Sequence, residues 1–266
     1  MPIIHANGVD LFYESMGTGE PLLILAGFAC DHTIWAKVVP ALARQYRVIS
    51  FDNRGMGQSP ASKSPVSVRD MAEDAAGLLK SLGLGPVHVA GHSMGGMIAQ
   101  ELALAHPEMV RSLSLLASFA QTDARGKAII ESWGDMPTKV DPLTMTRALL
   151  PWMYTNGFYS QPGVIDKLIQ LILANPFPPS AQAIYDQSRA ISASNTTDCL
   201  NKITCPTLIM VGSDDILAPV SSSQQLAQGI RGSELVVLEK TGHGLLIETP
   251  EMVVKTMLDF LSQVRG

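Results

Sequence analysis

Short unbroken apolar runs alternate with amphipathic stretches through most of this chain. Leu22-Leu23-Ile24-Leu25-Ala26 is one such run, the pattern of a strand buried on both faces. Arg47 to Asp52, Val87 to Ala90, Val110 to Ala117, Pro206 to Gly212 and Glu234 to Glu239 read as further strands. Ahead of them, Ile3 to Ala6 and Val9 to Glu14 flank Asn7-Gly8, the signature of a two-residue hairpin. Between the runs the apolar positions move to helical spacing. Met71, Ala75, Leu78, Leu79 and Leu82 form one face, and Met94, Met97, Ile98, Leu102 and Ala105 a second. Ser221 to Gln228 forms a further helix, and Val253, Val254, Met257, Leu258, Leu261 and Val264 line the last one.

Local signals fix several ends. Ser67 and Asp70 resemble a capping box, Gly83 suits the position after a helix, and Pro107 closes one. Thr249-Pro250-Glu251 supplies an N-cap residue, a proline at the first helical position and an early acid. A short helical stretch around Ile34-Trp35 is expected to be interrupted by Pro40. Eight strands alternating with helices predict an α/β fold, a mostly parallel sheet covered on both faces. In such a sheet ligands bind beyond the carboxyl ends of the strands.

Residues 122–200 break the alternation. Helical patterns dominate, clearest over Val164 to Leu173 and Ala181 to Ile191, with prolines at 137, 142, 151, 162, 176, 178 and 179 as punctuation. This stretch reads as a helical cap inserted after the sixth strand, with residues 1–121 and 201–266 forming the core. Its aromatic residues Trp133, Trp152, Tyr154 and Phe158 are candidate pocket residues, competing with a role in the cap's own core. Arg189 and Arg147 are candidates for holding a substrate carboxylate, with surface placement the competing reading.

The chemistry gathers around Gly91-His92-Ser93-Met94-Gly95, a G-x-S-x-G pattern between a predicted strand and a predicted helix. There the serine occupies a sharp turn, and glycines two residues to either side let strand and helix pass closely. The first turn of the helix offers free N–H groups to a developing negative charge. A serine hydroxyl needs a base, usually a histidine held by a carboxylate. Of six histidines, His5 and His88 lie on strands and should pack. His92 precedes the serine and should point away from its side chain. His106 ends a helix, and His32 is a weak candidate in an early loop. His243, in the loop Lys240-Thr241-Gly242-His243-Gly244 after the last strand, is best placed. Asp215 is favoured as the acid from Gly212-Ser213-Asp214-Asp215, with Asp214 and Asp123 as alternatives. Asp52 ends a strand but reads as structural.

Composition narrows the function. The net charge of −5 gives no nucleic-acid signature, and charged residues make up only 16%, which suits a compact protein with an apolar pocket. Three cysteines, Cys30, Cys199 and Cys205, show neither metal spacing nor disulfide density, as in a reducing compartment. No signal peptide and no membrane-spanning run is evident, so a cytoplasmic protein is expected. No ligand-spaced His, Cys or carboxylate cluster and no dinucleotide fingerprint is evident, so neither metal nor organic cofactor is expected.

The order Ser93, Asp215, His243 resembles that of the α/β-hydrolases. The resemblance spans the whole chain and rests on Gly27-Phe28, Phe51 to Ser59, Gly91 to Gly96, and the loops of Asp215 and Gly242-His243. The chain is most similar to the esterase and 3-oxoadipate enol-lactonase-like group, although many relatives have His-Gly where Ala26-Gly27 stands here. The resemblance implies an oxyanion hole made by the backbone N–H groups of Phe28 and Met94. It implies hydrolysis of a small-molecule carboxylic ester or lactone through an acyl-enzyme, by a monomer or homodimer. C–C bond hydrolysis of ring-cleavage products, perhydrolysis, or small-ligand reception with little turnover are the alternatives.

Overall fold

The computed structural model describes residues 2–61 and 65–264; Met1 and residues 265–266, at the ends of the expected core, lie outside them. Strands β1 (Ile3–Ala6) and β2 (Val9–Met16) pair antiparallel across Asn7 and Gly8. Both turn residues have positive φ, 50° and 75°, as a two-residue I′ hairpin requires. Then come β3 (Glu20–Leu25), β4 (Tyr46–Phe51), β5 (Val87–His92), β6 (Val110–Leu116), β7 (Thr207–Gly212) and β8 (Glu234–Leu238). They form one eight-stranded sheet in the order β1-β2-β4-β3-β5-β6-β7-β8. Strands β3 to β8 run parallel to their neighbours, and β2 pairs antiparallel with β4.

Side chains of one strand alternate between faces, and the core divides accordingly. Leu23 and Leu25 of β3 join α2 (Val68–Ser81), α3 (Met94–Ala105) and α9 (Val220–Gly229) on one side. Leu22 and Ile24 join α1 (Val39–Leu42) and α11 (Pro250–Gln263) on the other. Each of these leucines is fully buried, a contribution of about 1.5–3 kcal/mol apiece.

Between β6 and β7 the chain forms α4 (Ala124–Asp135), α5 (Pro142–Met153), α6 (Asn156–Tyr159), α7 (Val164–Leu173) and α8 (Ala181–Ala193). Gln121 bridges Asn195, and the Thr196 N–H donates to Ala120 O at 3.0 Å. The helical insertion therefore leaves and re-enters the sheet layer at one place.

Three local expectations change. Pro40 sits in the first turn of α1 rather than ending a helix, since its missing N–H costs nothing there. An extra turn, α10 (Leu245–Glu248), precedes Thr249, whose hydroxyl turns back to Leu245 O and makes no cap bond. His5 is exposed and pairs with Asp10 on the hairpin partner, so it does not pack. His88 is buried against Ser112 Oγ at 2.7 Å. Among the described residues no helix is long and apolar enough to cross a membrane.

The sheet places the site through its connections. The chain passes from β3 to β4 on one side, then returns to β5 on the other, which opens a crevice at the carboxyl ends of β3 and β5. Leu25 and Gly91 are register partners, so the loop after β3 and the turn after β5 emerge side by side.

Candidate active site

Ser93 links β5 to α3 with φ 54° and ψ −119°, a conformation that costs a non-glycine residue about 1–3 kcal/mol. Close packing holds it there. A Cβ on Gly91 would collide with the Gly95 carbonyl, and one on Gly95 with the Leu25 carbonyl. The Ser93 N–H donates to Leu116 O at 2.9 Å, and Ser118 Oγ donates to Ser93 O at 2.9 Å. The serine is partly exposed while its neighbours are buried. Met94 is the first residue of α3, among the N–H groups without an intrahelical partner. From β3, a Cβ on Gly27 would lie 3.3 Å from Ser93 Cβ, so the Gly27-Phe28 loop abuts the elbow directly.

Asp215 and His243 meet at the same edge. Asp215 Oδ2 lies 2.8 Å from His243 Nδ1, with both side chains buried. Its Oδ1 accepts the N–H groups of Leu217 and Ala218 at 2.9 and 2.7 Å. Asp214 is exposed and accepts from Ser213 Oγ; Asp123 caps α4 by accepting the Gly126 N–H at 2.6 Å. Neither alternative acid touches His243. Both neighbours of His243 are braced: Gly244 N–H donates to Met153 O of the insertion at 2.7 Å, and Gly242 N–H to Glu248 Oε2 of α10 at 3.0 Å.

His92 carries a role that spacing did not reveal. Its Nε2 donates to the backbone oxygen of His243 at 2.9 Å, and the two rings lie 5.1 Å apart. Burial, reinforced by the charge His243 can carry, pushes its pKa down to about 4. The native state thus binds fewer protons than the unfolded one between pH 6.5 and about 4. The contribution is intact above pH 6.5 and is lost as pH falls through that window, about 3 kcal/mol in all. The urea midpoint of His92→Gln should therefore fall less steeply than that of wild type between pH 6.5 and 4.5. Parallel curves would show that His92 is not the group being titrated.

A cleft opens on Ser93, walled by Phe119, Thr122, Ile130, Ile191 and Leu217. A second space lies beside Trp152, Tyr154, Asp214 and Ile216. Trp133 is buried between Phe28, stacked at 6.4 Å, and Trp152, edge-on at 6.3 Å. Tyr154 stacks on Phe158 at 4.6 Å, within a cluster that includes Leu150 and Ile169. Phe158 borders neither space and packs inside the insertion instead. Arg189 pairs with Asp135 and Glu131, and Arg147 is exposed.

Folding also assembles a group that linear spacing conceals. Donor atoms of Asp31, His32 and Asp52 lie within 4.8 Å of one another. These groups already have protein partners. Asp52 Oδ1 accepts the His32 N–H and lies 2.7 Å from His32 Nδ1, Asp52 Oδ2 accepts the Gln58 N–H, and Asp31 accepts from Thr33 and Asn175. Hydrogen bonding accounts for the cluster without a metal ion.

The fold and this site define a class. Residues 20–250 match the α/β-hydrolase fold family. The chain is 30% identical over 264 residues to a protein of Azorhizobium caulinodans provisionally named carbamate hydrolase RutD, covering 99% of each. A thermophilic esterase from Thermogutta terrifontis superposes with a TM-score of 0.89 at 29% identity over the whole of both chains. The enol-lactonase of Burkholderia xenovorans LB400 gives 0.89 at 25% identity, over 98% of this chain and all of its own. The chain belongs to the α/β-hydrolase family and is an enzyme of that fold.

Proposed function

We propose that this enzyme hydrolyses a carboxylic ester or lactone through an acyl-enzyme. Ser93 is the nucleophile, His243 the general base and then acid, and Asp215 the group that orients the imidazole. The observation that carries the reading is the buried 2.8 Å pair of Asp215 and His243 at the sheet edge that also presents Ser93 on its strained turn. Asp215 accepts the hydrogen bond of the Nδ1–H, which keeps the proton on Nδ1 and leaves Nε2 free to accept from the serine hydroxyl. The attacked carbonyl oxygen gains charge, which the N–H groups of Phe28 and Met94 stabilise; one such donor is typically worth roughly 10²–10³ in kcat. His243 returns its proton to the leaving oxygen, then activates the water that releases the acyl group. Every proton in this cycle is carried by a side chain of the chain itself. Residues 122–200 act as the cap over this edge.

A fluorophosphonate should label wild type once per chain, on the peptide that bears Ser93. A panel of esters, lactones and carbamates should then contain substrates turned over many times per chain. Label on another residue would overturn the nucleophile. Turnover that stops near one per chain would favour a receptor.

Phe119, Ile130, Ile191, Leu217 and Pro219 give the cleft an apolar side among polar residues such as Gln121, Thr122 and Asp123, so chain length should matter. One more buried methylene contributes about 0.8 kcal/mol, roughly fourfold in kcat/KM. Activity on straight-chain esters should rise over the first carbons and fall when the cleft is full. Trp152 borders the second space rather than this cleft, so if the acyl chain extends that way Trp152→Ala should move the optimum to longer chains. A profile unchanged by this substitution would remove Trp152 from acyl selection.

A further inference from the structure

Gln187 lies on α8, in the insertion, yet its side chain reaches the turn after β3. Its Oε1 accepts the N–H of Ala29 at 2.9 Å, across 158 residues of sequence. Ala29 is the third residue of a tight turn in which the Cys30 N–H donates to Gly27 O at 3.3 Å, and its φ is 54°. A non-glycine residue holds that conformation only when its surroundings enforce it. The second residue of the turn is Phe28, so Gln187 fixes the segment that presents the Phe28 N–H.

The other end of the same amide is unused. Gln187 is 2% exposed, and its Nε2 has no hydrogen-bond partner among the described residues. The orientation follows from the bond already made, since the Ala29 N–H needs an oxygen acceptor and leaves the NH₂ group on the far side. Buried side-chain donors are nearly always paired, so an orphan marks a place where something else supplies the acceptor. Gln187 and Ile191 share a helix face one turn apart, and Ile191 walls the cleft that opens on Ser93. Gln187 is not itself a wall of either space; its side chain joins α8 to the Phe28 turn, one helical turn from the Ile191 wall of the cleft.

We propose that Gln187 is a specificity residue whose Nε2 donates to a second oxygen of the substrate, outside the reacting carbonyl, while its Oε1 positions the Phe28 turn. The substrate class this selects is an ester or lactone with an additional carbonyl or carboxylate oxygen close to the scissile group. The inference rests on the ester or lactone reading above. Because one amide serves both bonds, a substrate that engages Nε2 also stiffens the turn that faces its own oxyanion.

Two variants separate the bonds. Gln187→Glu keeps an acceptor for Ala29 and removes the donor; Gln187→Met, of similar length, removes both. Each is assayed at pH 8 with ethyl butanoate and with ethyl 3-oxobutanoate, which differ by one carbonyl. Fluorophosphonate labelling and thermal midpoints serve as folding controls. The methionine variant should lose kcat about tenfold on both esters, the value of one good hydrogen bond. The glutamate variant should restore kcat on ethyl butanoate but raise KM for ethyl 3-oxobutanoate about tenfold. Equal behaviour of the two esters in the glutamate variant would overturn the donor role, and this comparison stands alone should the methionine variant not fold. Unchanged kcat in a folded methionine variant would overturn the positioning role. Absence of labelling and of ester turnover in wild type would instead overturn the underlying hydrolase reading.

Discussion

Ser93→Ala should lower kcat on the best ester about 10⁶-fold while KM and the thermal midpoint stay close to wild type. The size follows from what the hydroxyl does. Without it the acyl-enzyme cannot form, and His243 has only water to activate, at a geometry built for a side chain. The two oxyanion donors and the cleft remain, so a residual rate above the uncatalysed reaction should persist. Stability should change little, because the side chain is partly exposed and the turn is held by backbone bonds to Leu116 and Ser118. Alanine keeps the positive φ strain that serine already bears, so the substitution adds none. Purified variant assayed at saturating ester, with fluorophosphonate labelling alongside, provides the measurement. Retention of kcat within tenfold would remove Ser93 from the reaction.

What the sequence displays well is whatever is settled locally. The capping box of Ser67 and Asp70 forms with both of its reciprocal bonds, at 3.1 and 2.8 Å, because four residues contain every atom involved. The elbow is legible for the same reason: Gly91 and Gly95 face each other across the turn that Ser93 makes. The strands are legible because burial on both faces leaves no room for polar alternation. Contacts between distant segments leave no such trace. Gln187 reads as one polar residue on a helix until the fold brings Ala29 to it. His92 lies next to Ser93 in the chain, yet its partner is the backbone of His243, 151 residues on. The aromatic residues of the insertion share one composition but divide by direction: Trp133 joins Phe28, whereas Phe158 turns into the insertion's own core. Helical periodicity could not separate them, because short helices joined at prolines have no common axis to define a single face.

The insertion also explains why the site is more than a sheet edge with loops. Met153 O accepts the Gly244 N–H beside His243, and Gln187 accepts the Ala29 N–H beside Phe28. One segment therefore touches both the loop of the proposed base, His243, and the turn of the proposed oxyanion donor, Phe28. A shift of the insertion would move both groups relative to Ser93, so rearrangement there should change kcat as well as substrate choice.

Asp215→Asn should lower kcat roughly 10⁴-fold, whereas Asp214→Asn should change it less than about threefold. The difference lies in the bonds each carboxylate makes. Asp215 Oδ1 faces two backbone donors, Leu217 and Ala218, and Oδ2 faces His243 Nδ1. An asparagine there has one oxygen and one NH₂ group to distribute. Turning NH₂ toward Leu217 and Ala218 would set donors against donors, so the oxygen takes that side and the NH₂ faces His243. Nδ1 must then act as acceptor, which places the imidazole proton on Nε2, the nitrogen that should receive the proton of Ser93. The base is present but in the wrong tautomer, so binding survives and chemistry does not. Asp214 is exposed and makes no contact with His243, so its amide leaves the tautomer unchanged. The two variants differ from wild type by one atom each, which keeps folding out of the comparison; thermal midpoints check this. Equal kcat for the two variants would sink the assignment, and the reverse ranking would transfer the role to Asp214.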